Sequence, residues 1–501
     1  MQIWVAVKAI GVVLAGMICL VETAASAGLE RGGYNNRYFT YNGSFPYYVG
    51  VDLQQLGSDT AIDFRRAIDL LASYDINKIR LWIITSFLGD WDANLYPYRK
   101  VGDKWDLDEW DDRYWERMKA VISYARCRNM IVEISIFEIL GLREYARDGA
   151  NKPYLFSRDD NIQGFGKPNQ NGTLIPQFYQ LDYRENGRSW LEVQRRLIDK
   201  TVAELGDFDN VFFDIMNEWP GGRQEVANIN AYVPWMQEMI RYLRSRTTRV
   251  IGAHTHGIGY PRNAEAFEAT SSLFWDMPEL DSLNFHLYLN EPREISDRLS
   301  SHQLKDKMLL NNEGAEYYDI DRSAGYPNYR ITRNPEKLAA EIRHMWGHIM
   351  LGGYFTAYHG PVPQLEGPVF EEMAAALQGA RQIMESVHFY RMSPVRDDGS
   401  ELDDLVVAGP GGHWQVIARE GLDYLVYFCH RKAQNGARIR LAPGRYRYRW
   451  FDTRRAAPAL LSGVVKGGRL ARIPAPLNSQ WDAQAGLVLV VSALDAAEDD
   501  K

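Results

Sequence analysis

Two glutamates in this sequence stand where the chain leaves short apolar runs. Glu218 follows Val211–Met216 across a single Asn217, and Glu313 follows Met308–Asn311 across a single Asn312. Runs of that length and apolarity read as buried strands. A lone glutamate after a strand is usually a helix cap or a surface charge. Two at strand ends, one of them preceded by asparagine, suit a more specific chemistry. Breaking a glycosidic bond needs a proton donor for the leaving oxygen and an anion for the positively charged sugar centre, and two carboxyl groups flanking the bond supply both. Glu138 and Asp52 also lie near strand ends as further carboxylates, and Glu316 could exchange roles with Glu313 if that strand ends later. A second constellation, His254-Thr255-His256, has the His-x-His spacing with which barrel hydrolases bind zinc. It falls after the fifth strand candidate rather than the first, and no late-strand Asp completes it, so no metal is expected.

Carboxylates from distant parts of a chain converge only if a scaffold brings strand ends together. From about residue 45 to 390 short apolar runs alternate with amphipathic helical segments, the pattern of parallel strands joined by helical crossovers. The strand candidates are Tyr47–Val51, Lys78–Ile84, Ile131–Ile136, Val211–Met216, Val250–Ala253, Ser282–Leu287, Met308–Asn311 and Tyr354–Ala357. Ser58 or Asp59 can cap a helix carrying Phe64, Ile68 and Leu71 on one face, and Asp111 one carrying Tyr114, Met118 and Val121. Trp190–Leu205 and Val233–Leu243 read as further helices. Eight strands with intervening helices predict a (β/α)8 TIM barrel, whose active residues sit at the C-terminal strand ends. A doubly wound open sheet would want a glycine-rich phosphate turn after its first strand, and Gly50-Val51-Asp52-Leu53 is not one. The stretch from Gly141 to Tyr183 reads as a long loop bordering the site.

After about residue 392 the pattern changes. Arg396-Asp397-Asp398-Gly399-Ser400 reads as a linker, and short alternating strands follow at His413–Ala418, Tyr424–Cys429, Ala437–Leu441, Tyr446–Phe451 and Leu487–Val491. Turns at Glu420-Gly421, Pro443-Gly444 and Gly467-Gly468 separate several of them, as an antiparallel β-sandwich requires. The expected division is residues 1–27 as a signal peptide, 28–392 as the catalytic barrel and 393–495 as the sandwich. Trp414, Trp450 and Trp481 are the sandwich's only tryptophans; exposed, they would suit glycan binding, and buried, a scaffold packed on the barrel flank, which is the preferred reading.

The ordered motifs resemble clan A of the glycoside hydrolases, the group containing family 5 cellulases and mannanases and the apiosidase-like enzymes. Phe213-Asp214-Ile215-Met216-Asn217-Glu218-Trp219-Pro220 is similar to that clan's strand-four acid/base motif, and Leu309-Leu310-Asn311-Asn312-Glu313 to its strand-seven nucleophile motif. His286-Leu287-Tyr288 matches the strand-six His-x-Tyr pattern, and Ile79-Arg80-Leu81-Trp82 the strand-two arginine. The resemblance covers about residues 45–360. It implies Glu218 as acid/base, its pKa raised by partial desolvation and a nearby anion. It implies Glu313 as the ionised nucleophile, held by Arg80 and the Tyr288 hydroxyl. Asn217 would donate to the sugar hydroxyl beside the reacting carbon, and His286 with His254 or His256 would orient the pair. Trp82, Trp91, Trp219 and Trp275 are candidate sugar platforms or packing residues. Where the clan commonly ends strand eight with a tryptophan, this chain offers Tyr354, Tyr358 and His359. The implied activity is retaining hydrolysis of β-type bonds in a poly- or oligosaccharide, without a cofactor.

Composition agrees. With 46% apolar residues the 501-residue chain can bury a large core, and a formal net charge of -8 argues against a nucleic-acid partner. The 14 Trp and 29 Tyr fill cores and can also stack on sugar rings. Lys8, the apolar stretch Ile10 to Leu20 and the small residues Ala25-Ser26-Ala27 read as an export signal cleaved near Ala27, which implies a secreted or periplasmic protein with no membrane span once processed. Cys127 and Cys429 are expected as small buried side chains, and nothing in the pattern specifies an oligomeric state. The non-enzymatic alternative, a carbohydrate-binding protein on an inactive barrel, has no need of two glutamates and Asn217 together.

Overall fold

A computed structural model describes residues 28–32, 36–85, 94–138, 155–165, 176–218, 229–254, 273, 276–286, 307–314, 317–321, 323, 330–358, 365, 367–395, 414–429, 436–455, 458–468, 470–477 and 485–494. Eight parallel strands close into a barrel: β1 (Val49–Asp52), β2 (Lys78–Trp82), β3 (Ile131–Glu138), β4 (Val211–Asn217), β5 (Ile251–His254), β6 (Ser282–Phe285), β7 (Met308–Asn311) and β8 (Tyr354–Tyr358), with β8 pairing back onto β1. All eight fall where the apolar runs predict them, with small shifts at the ends. Ile83 and Ile84 lie beyond β2, while β3 runs on to Glu138. The strand predicted as Ser282–Leu287 stops at Phe285, so His286 stands just past it. The proposed export signal, 1–27, and the linker at 396–400 lie outside the described residues.

Six α-helices occur among the described residues: α1 (Phe64–Ser73), α2 (Asp112–Cys127), α3 (Trp190–Leu205), α4 (Ile229–Arg246), α5 (Pro335–Ile349) and α6 (Pro368–Glu385). Asp111 caps α2, whose Tyr114, Met118 and Val121 are buried as their spacing predicts. The cap of α1 is Asp63, not Ser58 or Asp59. Its Oδ1 accepts from the backbone of Arg65 and Arg66 at 3.1 and 3.2 Å, while Asp59 closes a separate turn onto Ala61 at 2.8 Å. Asp63 immediately precedes the first helical residue, where a carboxylate satisfies the orphan N–H groups of the opening turn.

The stretch from Gly141 to Tyr183 is not all loop. Leu155, Phe156, Phe165 and Phe178 are buried, with the Phe165 ring 4.5 Å from Trp190 and the Phe178 ring 5.5 Å from Trp235. Aromatic anchors of this kind contribute packing that a solvated loop lacks. Residues 141–154 and 166–175 of the stretch lie outside the described residues. Among the described residues no helix is long and apolar enough to cross a membrane.

Beyond the barrel the chain forms an antiparallel sheet. Its strands are β9 (Ser393–Pro394), β10 (Trp414–Arg419), β11 (Asp423–Phe428), β12 (Ala437–Arg440), β13 (Arg445–Asp452), β14 (Leu461–Lys466), β15 (Leu470–Ile473) and β16 (Leu487–Ala493). Six are ordered β9-β10-β11-β16-β13-β14, and β12 pairs with β15. The five predicted strands are present; β9, β14 and β15 were not foreseen. Glycines 421 and 468 adopt φ of 79° and 84°, the left-handed backbone that two of the predicted turns need. In β13 the side chains of Tyr446, Tyr448 and Trp450 are buried while Arg445 and Arg447 are exposed, the period-two signature. Trp450 packs at 5.4 Å on Phe428 inside this layer, a scaffold position; the side chains of Trp414 and Trp481 lie outside the described set. The opposite face of β11 and β16 presents Leu425, Tyr427, Val488 and Val490 to the barrel's own core, and Tyr427 stacks on Trp346 of α5 at 6.0 Å. Cys429 is buried on that side, whereas Cys127, at the end of α2, is only half-buried.

Candidate active site

The barrel interior is charged rather than apolar. Adjacent parallel strands place Asp52 opposite Arg80, Arg80 opposite Glu133, and Ser135 opposite Asp214, so their side chains converge inside the ring. Arg80, wholly buried, is the hub. Its Nη1 reaches Asp52 Oδ2 and Glu313 Oε2, each at 3.4 Å; its Nη2 donates to Asn217 Oδ1 at 2.7 Å and reaches Asp214 Oδ2 at 3.4 Å. Its Nε lies 3.5 Å from Glu133 Oε1. A guanidinium presents five donors in a rigid plane and so can serve several carboxylates where lysine would serve as a point charge. Lys78, one turn of the pleat below, sits 2.5 Å from Glu133 and donates to Thr356 Oγ1 at 2.6 Å.

These acids do not titrate alike. Burial pushes Asp52 up to about 6 and Asp214 up to about 7, against the opposing pull of Arg80. Glu133 is equally buried, but Lys78 and Arg80 outweigh the desolvation and hold it below the ordinary glutamate value. Asn284 and Asn312 donate to the same Glu133 oxygen at 3.2 and 2.8 Å. Glu133 is thus the fixed anion of the interior, and Asp52 and Asp214 are the acids that take up protons first.

Above this cage stand the two glutamates. Glu218 leaves β4 with φ of 55°, a left-handed conformation uncommon for a residue with a side chain. Such conformations cost on the order of 1–3 kcal/mol and persist where surrounding structure enforces them. Here the kink turns the chain out of the strand directly after Asn217. Glu313 follows β7, nearly buried. The His286 ring lies beside both, with Nδ1 3.6 Å from Glu218 Oε1 and Nε2 3.3 Å from Glu313 Oε2. Facing oxygen and nitrogen atoms of the three residues all fall within 4.8 Å of one another. Burial lowers the His286 pKa, opposed by the hydrogen bond to Glu218, so the neutral ring is favoured. One ring nitrogen and one oxygen from each glutamate lie close enough together that the same trio could also hold a metal ion.

The remaining candidates divide. His254 is wholly buried with its ring 4.2 Å from that of His286, a supporting position. Trp82 is also wholly buried, with the Arg80 guanidinium 5.4 Å from its ring, so it backs the arginine and offers no face to a sugar. Asp52 lies beneath the pair, bound to Arg80, and Glu138 is buried opposite Asn217. The Nδ2 of Asn217 meets no acceptor among the described residues. Tyr288, Trp91, Trp219, Trp275, His256, His359, Glu316 and the side chain of Tyr358 lie outside the described residues. Sequence reasoning missed Lys78, Glu133, Asp214, Asn284 and Asn312. Their signal was the alternation Lys78-x-Arg80-x-Trp82 and Glu133-x-Ser135 inside strands whose intervening positions are Ile and Leu.

No family model and no curated protein matches the chain. Solved structures do. A glycoside hydrolase family 5 structure from Bacteroides vulgatus matches over 94% of this chain and 94% of its own, at 13% identity and a TM-score of 0.60. A second, described as a glycoside hydrolase, matches over 94% of this chain and 98% of its own, at 12% identity and a TM-score of 0.58. At such identities the likeness establishes a shared fold, barrel and appended sheet together.

Proposed function

We propose that the protein is a retaining glycoside hydrolase that cleaves β-type bonds in a poly- or oligosaccharide, with Glu218 as acid/base and Glu313 as nucleophile. One observation carries this reading: the two carboxyl groups converge beside His286, with one oxygen of each and one ring nitrogen all within 4.8 Å of one another. Retaining enzymes hold their carboxyls about 5–5.5 Å apart, and inverting ones about 6.5–9.5 Å, to leave room for water. The shared fold with solved glycoside hydrolases supports the same reading.

The surroundings fit the roles. Glu313 Oε2 lies 3.4 Å from the Arg80 guanidinium, which favours its anion, while Glu218 faces the neutral ring of His286. On this reading Glu218 is the acid and Glu313 the anion. In the first step Glu313 bonds to the anomeric carbon as the C–O bond to the leaving group breaks, and Glu218 gives that oxygen its proton. In the second, Glu218 takes a proton from water, whose oxygen displaces Glu313 from the sugar. Asn217, its Oδ1 held by Arg80, offers Nδ2 to a hydroxyl beside the reacting carbon. The export signal read from the N-terminal residues would deliver this activity outside the cytoplasm.

The test is a screen of purified protein on polysaccharides and aryl β-glycosides, with product anomers followed by NMR. Glu313→Gln should lower kcat by roughly a thousandfold or more. Glu218→Gln should be partly rescued by substrates with good leaving groups, which need no acid. An inverted first product, or activity surviving both changes, would overturn the proposal.

A further inference from the structure

Behind β7 the helix α5 buries an unusual face. Glu341, His344 and His348, at helical spacing, are exposed by 2% or less, where a crossover helix normally places apolar side chains against its sheet. Titratable groups there are costly unless each is bonded, and hydrogen bonds of both histidines reach Asn311, at the strand end that carries Glu313. The backbone N–H of Asn311 donates to His348 Nε2 at 3.1 Å, and burial lowers that ring to about 3, so it is a neutral acceptor with its proton on Nδ1. His344 Nδ1 lies 3.4 Å from Glu341 Oε2, and its Nε2 lies 3.3 Å from the Asn311 carboxamide.

Only one orientation of that carboxamide satisfies its surroundings. Nδ2 then donates to the carbonyl oxygens of Phe285 at 2.9 Å and Glu313 at 3.0 Å, and Oδ1 turns to His344 Nε2. Those two carbonyls belong to the residue before His286 and to Glu313 itself. The residue after Glu313 is shaped to the same contact: a Cβ on Gly314 would stand 1.9 Å from Glu341 Oε1 and 2.8 Å from Phe355 Cζ.

We propose that Glu341, His344 and Asn311 form a positioning relay that ties the ends of β6 and β7 together and so sets His286 against Glu313. This rests on the proposed function for the roles of those two residues. The relay works by proton placement. For Asn311 Oδ1 to be an acceptor, His344 must hold a proton on Nε2. Its Nδ1 then shares one proton with Glu341, either as carboxylic acid and neutral ring or as carboxylate and imidazolium, and both pairs are electrically neutral. With Nε2 bare, the ring would offer Asn311 no donor, and the amide would lose the contact that keeps it turned toward the two carbonyls. Among the described residues, Glu341 is faced by Tyr317, whose hydroxyl is pushed up by burial and by Glu341, and by Phe355, with His344 edge-on to it.

Two measurements test this. Nitrogen-15 NMR of histidine-labelled protein should show His344 with its Nε2 protonated and His348 with its proton on Nδ1; a bare Nε2 on His344 would overturn the relay, whether or not any glycoside is cleaved. Kinetically, Asn311→Asp keeps the shape but cannot donate to the carbonyls, and should lower kcat roughly 10- to 100-fold with KM within about twofold. Glu341→Gln should act in the same direction and Glu341→Asp should recover part of the loss. An Asn311→Asp variant that folds and keeps full kcat refutes the positioning role. Full activity in Glu313→Gln would instead sink the proposed function, leaving the NMR result to judge the relay alone.

Discussion

The barrel centre and the C-terminal sheet are both built of strands, yet they fill their interiors with opposite material. Inside the sheet layer lie Val416, Val426, Phe428, Trp450 and Leu489, packed on one another with no charged neighbour among them. Inside the barrel lie Lys78, Arg80, Asp52, Glu133 and Asp214, all wholly buried. Replacing a buried ion cluster with apolar side chains is often neutral or stabilising, so the barrel gives up stability that the sheet keeps. What it gains is a set of fixed charges aimed at one place. The sheet supports by area; the barrel centre positions by charge.

The largest effect should come from removing the hub. Arg80→Met would leave Asp52, Glu133, Asp214 and Glu313 without their shared cation. The expected cost is about 3–5 kcal/mol in denaturant unfolding, because uncompensated buried charge remains. Turnover should fall with it, and Arg80→Lys should not restore it, since an ammonium cannot span four partners and Asn217. Normal turnover in Arg80→Met would erase the distinction between the two regions. Trp450→Ala makes the matching cut in the sheet. It should also cost about 3–5 kcal/mol, from lost burial and the cavity left against Phe428, yet the folded protein should keep kcat within about twofold.

A third change separates the regions by pH. Asp214 and Asp52 sit at about 7 and about 6 in the folded protein, above their ordinary 3.8, because burial disfavours their charge. A raised acid contributes stability that is complete below its unfolded value and is lost as pH rises through the folded one. Glu133, held low by its cations, works the other way and loses its contribution on acidification. Asp214→Asn should therefore flatten the decline in stability between about pH 4 and pH 7, by up to about 1.4 kcal/mol per pH unit. Trp450→Ala should leave that slope unchanged. Parallel slopes for wild type and Asp214→Asn would mean the interior acids do not titrate as described.

The two regions were not equally legible in the sequence. The sheet's alternation in Tyr446-x-Tyr448-x-Trp450 announces itself, because one face is wet and the other dry. β14 and β15 escaped because Leu461–Lys466 and Leu470–Ile473 carry exposed Val464 and Leu470, which blur the pattern. In the barrel the apolar runs gave all eight strands, and the Asn-Glu pair and Glu313 stood out at strand ends. Lys78, Glu133 and Asp214 did not, since a charge inside an apolar run reads as a solvent-facing position until closure of the barrel turns that face inward. The relay behind Glu313 was hidden for a related reason. Glu341, His344 and His348 look like the polar stripe of an amphipathic helix, and only packing shows that the stripe faces the sheet.

The smallest effect belongs to the barrel's outer layer, where ordinary helix rules hold. Asp63 caps α1 through two backbone N–H groups, and the rival caps Ser58 and Asp59 make other turns, with Ser58 Oγ donating to Gln55 and Asp59 accepting from Ala61. Asp63→Ala should cost about 1 kcal/mol, the usual worth of such a cap, and should leave turnover untouched because Asp63 spends its carboxylate on the backbone of Arg65 and Arg66. Asp59→Ala should leave the α1 cap intact and remove its turn and its attraction to Arg117. A larger loss from Asp59→Ala than from Asp63→Ala would move the start of α1 back to where the sequence alone first suggested it. A loss of turnover in Asp63→Ala would break the contrast itself, by showing that the periphery reaches the charged centre.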